Sequence, residues 1–242
     1  MVRRQNWQCW LVTQLISERV LLSFIDELDR RTFTPIVTKP DNPQLKCWHI
    51  ELTSKNRGEV IIHTGKSEDD EDDSNSQTIK FPACFLSDDE DLGILLRNWI
   101  AQHTDSFVEK MEFQNSLMIA IADCVLQQGS KGVRVLYQPQ TQRNHLKRLE
   151  FDFAEADVQE LVQTCENTEK ALSNCIFPYL QSQTGIRCHA LPLSEIRIQD
   201  RLVVTSRSLG TLDGDGTVLK KLARPLLNLF NAHYQEAIAK NP

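Results

Sequence analysis

Residues 45–53 (LKCWHIELT) alternate apolar and polar side chains, with the tryptophan, isoleucine and leucine on one side. Period-two alternation is typical of a strand that buries one face. The turn-forming sequence Asn56-Arg57-Gly58 follows, and residues 60–64 (VIIHT) are mostly β-branched. Two such segments joined by a short turn are typical of a hairpin. This stretch therefore predicts antiparallel sheet structure.

Strand and helix patterns surround this hairpin in blocks rather than in strand–helix–strand alternation, which indicates an α+β fold with antiparallel sheets and helices on one side. The sequence Ser87-Asp-Asp-Glu90 predicts a capping box that starts a helix. Besides the hairpin, the predicted strands are 7–15, 33–38, 78–86, 133–137, 149–153, 187–191, 195–198 and 202–208. One helix is predicted to begin at Ser17-Glu18, and another to follow the glycine-rich turn 210–216. The other predicted helices are 92–102, 113–128, 155–165 and 168–182.

The composition is that of a globular protein: the 242 residues are 40% apolar and 25% charged. The longest apolar stretches are far shorter than the ~20 residues that span a bilayer, and the N-terminus lacks a signal-peptide pattern. We therefore expect neither secretion nor membrane insertion. The seven cysteines are odd in number and scattered, without C-x-x-C spacing, which is typical of reduced intracellular thiols.

Charge is distributed unevenly along the chain, whose net charge is -6. Six consecutive acids occupy 68–73, so residues 65–77 are predicted to form a mobile loop. A solvated loop is the favoured interpretation, and an acidic docking arm is the alternative. We predict two α+β halves, residues 1–129 and 130–242; the second carries 14 basic against 12 acidic residues and is the half we expect to bind a partner or dimerise.

The sequence contains no recognisable catalytic constellation. It lacks the phosphate-binding loop, the dinucleotide fingerprint, the calcium loop, zinc-ligand spacing and the G-x-S-x-G elbow. Cys188 and His189 are adjacent, but neighbouring side chains on a strand point to opposite faces, which places them badly as nucleophile and base. We therefore expect a non-enzymatic protein with no cofactor. A hydrolase that uses Cys188 or another unrecognised nucleophile is the third alternative.

Basic residues in the second half suggest a different activity. On one face they would neutralise phosphates and bind nucleic acid without sequence preference. In the alternative interpretation they are solvated sheet residues paired with Glu150, Glu195 and Asp200, and the sequence does not separate the two. The candidates for nucleic-acid contact are Arg134, Arg143, Lys147, Arg148, Arg187, Arg197, Arg201 and Arg207.

The most distinctive segment of the chain is 176–209. It contains Ile176-Phe-Pro-Tyr-Leu180, then Thr184-Gly185-Ile186, Leu191-Pro-Leu193 and Val204-Thr-Ser-Arg-Ser-Leu209. In this order the motifs resemble those of the centromere protein L family, especially its fungal members. The resemblance is looser upstream, and the acidic run 68–73 has no counterpart that we can align.

The resemblance implies a non-catalytic inner-kinetochore subunit of the constitutive centromere-associated network, in the nucleus at the centromere. It implies a heterodimer with a centromere protein N homologue through the C-terminal region, and contacts with other inner-kinetochore subunits. Centromeric DNA at the CENP-A nucleosome would be reached through that complex. Curved antiparallel sheets backed by helices are the implied fold. A free-standing nucleic-acid-binding protein that uses the basic half is the runner-up.

The strand at 202–208 suggests how a partner would bind. At a sheet edge its unpaired N–H and C=O groups could be completed by a partner strand, or by a second copy of this chain in a homodimer. A charge at Val204 would then abolish pairing and leave the fold intact. In the alternative the strand is central in the chain's own sheet. The residues predicted to bind the partner are Ile196, Ile198, Leu202, Val204 and Ser206.

Overall fold

The chain forms two compact units in a computed structural model. The N-terminal unit comprises Asn6–Met111 with Ala223–Pro242, and the C-terminal unit comprises Met1–Gln5 with Glu112–Leu222. The predicted acidic loop 65–77 lies outside the residues that the structure describes. Those residues are 5–13, 16–30, 35–38, 47–53, 57–64, 83–129, 131–138, 148–165, 170–212, 218–219 and 225–232.

The N-terminal unit contains an antiparallel sheet with strand order β2-β3-β4-β5-β1, and a short strand, β6, also pairs with β1. The hairpin predicted at 45–64 is confirmed as β3 and β4, although β4 begins inside the predicted turn. The strands of this sheet are β1 (Gln5–Val12), β2 (Pro35–Thr38), β3 (Cys47–Thr53), β4 (Arg57–Thr64), β5 (Ala83–Ser87) and β6 (Val108–Lys110).

Helices α1 (Glu18–Arg30) and α2 (Glu90–His103) belong to the same unit. Their apolar side chains form a core with the sheet in which Trp10 stacks on Phe85, with ring centroids 5.7 Å apart. Residues 225–232 are also helical.

The capping box predicted at Ser87 is wrong by two residues. The cap of α2 is Asp89, whose Oδ1 accepts a hydrogen bond from the Leu92 amide at 2.8 Å. Ser87 is still the last residue of β5, and its buried hydroxyl donates to the Asp89 carbonyl at 2.6 Å. Gly58 lets this helix start approach the sheet closely, because a Cβ there would lie 3.2 Å from Asp89 Cβ.

The C-terminal unit contains a second antiparallel sheet, with order β11-β10-β9-β7-β8 within the unit. Together the two units confirm the α+β class. The strands are β7 (Val133–Tyr137), β8 (Leu149–Phe153), β9 (Leu193–Ile198), β10 (Leu202–Thr205) and β11 (Leu209–Thr211); the helices are α3 (Asn115–Leu126), α4 (Glu155–Gln163), a π-helix (Ala171–Ile176), α5 (Phe177–Thr184) and a 3₁₀ turn (Cys188–Ala190).

Helix α3 belongs to the C-terminal unit, so the units divide after Met111 rather than at 129/130. The side chain of Asn115 explains why. Its amide nitrogen donates to the Leu191 carbonyl at 2.9 Å, and its oxygen accepts from the Leu193 amide at 3.3 Å. These two bonds fix the start of α3 to the start of β9.

The helix predicted at 168–182 is a π-helix followed by α5. Pro178 lacks a backbone N–H and its ring crowds the carbonyl four residues earlier, so the preceding turn cannot close as an α-helix. The Phe177 amide instead bonds the Leu172 carbonyl, five residues back. The predicted stop at Thr184-Gly185 is confirmed, with Gly185 left-handed at φ 70°. The strand predicted at 187–191 is wrong, because Cys188–Ala190 form a 3₁₀ turn.

The prediction that 202–208 forms an edge strand is also wrong. Residues 205–208 are a turn in which the Thr205 hydroxyl oxygen accepts from the Arg207 and Ser208 amides at 3.3 and 3.1 Å. The chain then returns as β11, which was predicted as part of a loop. Consequently β10 pairs with β9 on one side and with β11 on the other.

Candidate partner and nucleic-acid interfaces

The apolar residues predicted to bind the partner lie in the interior of the C-terminal unit. Ile196, Ile198, Leu202 and Val204 are 0% exposed. Since β10 already has two neighbours, a partner strand cannot reach these side chains without opening the sheet. Ser206 differs: it is exposed in the 205–208 turn, and its carbonyl accepts from the Phe113 amide at 2.7 Å.

The free edge of this sheet is β8. Of the strands that the structure describes, only β7 pairs with it. Leu149 and Phe151 are half-buried, whereas Phe153 is buried. The Phe151 ring meets Tyr137 edge-on at 6.2 Å, and Phe153 meets exposed Tyr179 at 6.4 Å. A well-packed strand with one unpaired side and partly exposed apolar side chains can accept another strand.

The face of the sheet opposite Leu149, Phe151 and Phe153 is charged. Register places Arg134 of β7 between Asp152 of β8 and Arg197 of β9. The Arg134 guanidinium donates to Asp152 through Nε at 3.0 Å and also pairs with Glu150 at 3.2 Å. The hydrogen bonds that Arg134 donates to Asp152, together with the negative charge of that carboxylate, raise the pKa of Arg134 above its ordinary value.

Two further ion pairs complete this face. Arg148 pairs with Glu150, and Arg197 pairs with Glu195 through Nη2 at 2.9 Å. We call the six side chains the charged ladder. Its three arginines are balanced by three carboxylates, so it lacks the net positive charge that a phosphate-binding face needs. The ladder is defined as Arg134, Arg148, Glu150, Asp152, Glu195 and Arg197.

The other predicted basic residues are dispersed. Arg207 pairs with Glu112 at 3.6 Å, both well exposed. Arg201 directs Nη1 at the carbonyls of Val125 and Gly129, at 3.5 and 3.4 Å, and so stabilises the end of α3. Arg187 is exposed beyond α5. The last two, Arg143 and Lys147, lie outside the described residues.

Cys188 is a packing residue of the C-terminal unit. It is 2% exposed, and burial raises the pKa of its thiol. Its Sγ donates to the Ile186 carbonyl at 3.7 Å, and burial, with a smaller contribution from Cys188, raises the pKa of Tyr137 well above its ordinary value. A buried thiol with a raised pKa is a poor nucleophile. Among the described residues, no group of three or more His, Cys, Asp or Glu side chains could hold a metal ion, and no helix has the length and apolarity to cross a membrane.

Two features were missed in the sequence. Glu150 and Asp152 alternate with the apolar residues of β8, and charged alternation in a short strand is the signal of an edge. The second feature is Asp123, an acid inside the apolar helix α3 that is only 3% exposed. An ionisable residue on a buried helix face needs a partner, and that requirement is the signal that marks it.

Comparison with known proteins identifies the family. The family model described as IML3 matches residues 67–222, more than half of the chain. A relative, "Inner kinetochore subunit IML3" of Saccharomyces cerevisiae (strain ATCC 204508 / S288c), is 20% identical over 142 residues. That alignment covers 52% of this chain and 58% of the yeast protein, less than two thirds of its length. The chain therefore belongs to the IML3 family, which confirms the resemblance to the centromere protein L family.

Proposed function

We propose that this chain is a non-catalytic inner-kinetochore subunit that acts in the nucleus at the centromere and supports chromosome segregation. The observation that carries the proposal is the family match over residues 67–222. The name of the yeast relative, an inner kinetochore subunit, supports the same role. The family is generally non-catalytic, and burial of the Cys188 thiol agrees with that.

We place the partner interface on the edge strand β8 rather than on β10. In this proposal a strand of a centromere protein N homologue, or β8 of a second copy, pairs with the free side of β8. Main-chain hydrogen bonds then supply affinity and alternate side chains supply specificity. Leu149 and Phe151, half-buried in the single chain, would be covered by the added strand.

The charged ladder narrows the chemistry of that partner strand. On the ladder face, β8 presents Glu150 and Asp152 next to its free edge, flanked by Arg148. Like charges directly opposite each other in a sheet are unfavourable, whereas opposite charges stabilise pairing. A partner strand with Lys or Arg opposite the two acids, and apolar residues on its other face, fits best.

Leu149→Lys tests the interface. A lysine aimed inward from an edge strand blocks strand addition, while its long chain can still carry the ammonium to water. We expect the variant to fold but to lose co-elution with a co-expressed centromere protein N homologue, with affinity reduced at least about tenfold, the equivalent of about 1.4 kcal/mol. Size-exclusion chromatography with light scattering measures both the heterodimer and the homodimer of the isolated chain.

Ile36→Lys is the matched control for this experiment. Ile36 is 50% exposed on β2, the outermost strand of the N-terminal sheet. The substitution adds the same charge to an apolar position on an end strand in the other unit, so we expect pairing with the centromere protein N homologue to persist. Full pairing by Leu149→Lys, or equal loss in both variants, would remove β8 from the interface.

Centromeric DNA, in this proposal, is reached through the complex rather than by the isolated chain. The ion pairs of the charged ladder support that view, because Arg134, Arg148 and Arg197 already have carboxylate partners. The alternative of a stand-alone nucleic-acid-binding protein requires those arginines to be available to phosphate.

Removing the carboxylates should create the missing affinity. We expect Glu150→Gln with Asp152→Asn to bind duplex DNA more tightly than the unmodified chain. The slope of the logarithm of the binding constant against the logarithm of salt concentration should steepen by up to about 2. Each neutralised phosphate contributes about 0.9 to that slope. Fluorescence anisotropy over a salt series measures both quantities. Asp26→Asn with Asp29→Asn, on exposed positions of α1, removes the same charge elsewhere. Tight, strongly salt-dependent binding by the unmodified chain would favour the stand-alone alternative.

A further inference from the structure

Two cysteines of the C-terminal unit lie where α4 meets the π-helix. Cys165 is half-buried, two residues beyond the last residue of α4. Cys175 is in the π-helix and is 3% exposed. Both are free thiols in the structure. Cys165 is therefore partly open to solvent, whereas Cys175 is almost completely covered.

Contacts bring the two thiols together. The Sγ of Cys165 donates to the backbone carbonyl of Asn174, the residue before Cys175, at 3.7 Å. Cys165 is also close enough to Cys175 to contribute, after burial, to the raised pKa of the Cys175 thiol. Pro178 explains why this carbonyl receives a thiol: four residues after Asn174 it has no N–H to donate. The helix irregularity thus creates the position that Cys165 occupies.

We propose that Cys165 and Cys175 form a reversible disulfide when the protein meets a peroxide, and that this bond ties the end of α4 to the π-helix. Peroxide oxygen adds to the Cys165 sulfur to give a sulfenic acid, and one water leaves. The Cys175 thiol then attacks that sulfur, the S–O bond breaks and a second water leaves. Two thiols lose two electrons in total, and the peroxide takes them up.

Accessibility decides the order of the two steps. Cys165 is the thiol that peroxide can reach, and Cys175 is the resolving thiol held beside it. Burial, with a further contribution from Cys165, raises the pKa of Cys175 to about 12. A thiol with so little thiolate at neutral pH reacts poorly with peroxide on its own, but a neighbouring sulfenic acid is presented to it at high effective concentration.

The N-terminal unit offers a matched comparison. Cys9 and Cys84 lie near each other on the adjacent strands β1 and β5, where Leu11 is directly opposite Cys84. They are 0% and 2% exposed. Burial is the main cause that raises the pKa of Cys9, and the nearby Cys84 is a smaller one. Because both thiols are buried, peroxide cannot reach either of them to start the reaction, and this pair is expected to stay reduced in the folded protein.

Peptide mapping tests the disulfide directly. The full-length protein is treated with hydrogen peroxide, remaining thiols are alkylated, and trypsin is added. Cleavage after Arg148, Lys170 and Arg187 places the two cysteines on separate peptides, 149–170 and 171–187. We expect a cross-linked species lighter by two hydrogens than the sum of both peptides, and we expect a thiol reductant to remove it. In Cys165→Ser the species should be absent, and in Cys124→Ser it should persist.

The proposal is overturned by oxidation of Cys165 to sulfinic or sulfonic acid without the link, or by the absence of any oxidation at Cys165. A Cys9–Cys84 link formed to the same extent would also overturn it, because oxidation would then follow unfolding rather than the folded geometry. If the proposal holds, circular dichroism shows that the peroxide-treated protein keeps its helical signal.

Discussion

Replacement of Val204 by aspartate is expected to unfold the C-terminal unit. Val204 is 0% exposed on the central strand β10, between Ile196 of β9 and Leu209 of β11. Loss of its apolar burial costs about 1.5–3 kcal/mol, and an unpartnered carboxyl group in the core costs about 2–7 kcal/mol more. That sum is most of the 5–15 kcal/mol by which domains are stable. Urea titration followed by circular dichroism measures the change.

Ser206→Asp is the matched control for Val204→Asp. It places the same carboxylate two residues later, in the exposed turn, where Ser206 uses its carbonyl rather than its side chain to bond Phe113. We expect a change within about 0.5 kcal/mol, as for other surface substitutions. A folded Val204→Asp variant that had lost only its partner would restore the edge-strand hypothesis and contradict the topology described above.

Local patterns in the sequence predicted individual elements well. Strands 133–137 and 149–153 have the bounds predicted from alternation of their residues, and α5 ends at the predicted Thr184-Gly185 stop. In each case the signal is contained in a few neighbouring residues: period-two alternation for a strand, and a glycine able to adopt positive φ for a helix end.

Strand order was not predictable in the same way. Whether 202–205 lies at an edge or in the centre depends on β9 and β11, and the pairing with β11 depends on a turn formed by the Thr205 hydroxyl. The sequence TSRS lacks the glycine or asparagine that usually marks a hairpin turn, so residues 202–208 were interpreted as one strand. The partner-binding assignment of Leu202 and Val204 depended on that interpretation.

The charges of the candidate site were visible in the sequence, but their pairing was not. Arg134 and Asp152 are separated by residues 135–151 along the chain, and only the β7–β8 register brings them together. The alternative in which the sheet arginines pair with Glu150, Glu195 and Asp200 was open from the sequence. The structure shows the pairs with Glu150 and Glu195. Contact of any of these arginines with DNA stays a prediction.

Asp123 is the clearest case of a residue whose role only the fold reveals. Its carboxylate accepts from the Leu172 amide at 2.7 Å and from the Ser173 hydroxyl at 2.9 Å. It therefore caps the first turn of the π-helix from a different helix, α3. Burial raises the pKa of Asp123, while these hydrogen bonds and the charge of Lys170 act in the opposite direction.

Asp123→Ala should destabilise the C-terminal unit by about 1–3 kcal/mol, because the buried Leu172 amide is left without an acceptor. Asp123→Asn keeps an acceptor for that amide and offers its nitrogen to the Ser173 oxygen, so we expect it to retain most of the stability. Chemical denaturation of the three proteins at neutral pH, monitored by circular dichroism, gives the comparison. Equal stability of Asp123→Ala and the unmodified chain would show that the cap contributes nothing.

The pH dependence of the stability of the same three proteins separates the contribution of the Asp123 hydrogen bonds from that of its buried charge. A carboxyl whose pKa is higher in the folded state than in the unfolded state binds its proton more tightly when folded. The unmodified chain therefore loses stability relative to Asp123→Asn as pH rises from the ordinary value of 3.8 through the raised folded value, and the difference is constant above it. The penalty of Asp123→Ala relative to Asp123→Asn, in contrast, involves no titrating group at this position and should not change with pH. A stability difference between the unmodified chain and Asp123→Asn that moved in the opposite direction would mean that the hydrogen bonds from Leu172 and Ser173 outweigh burial.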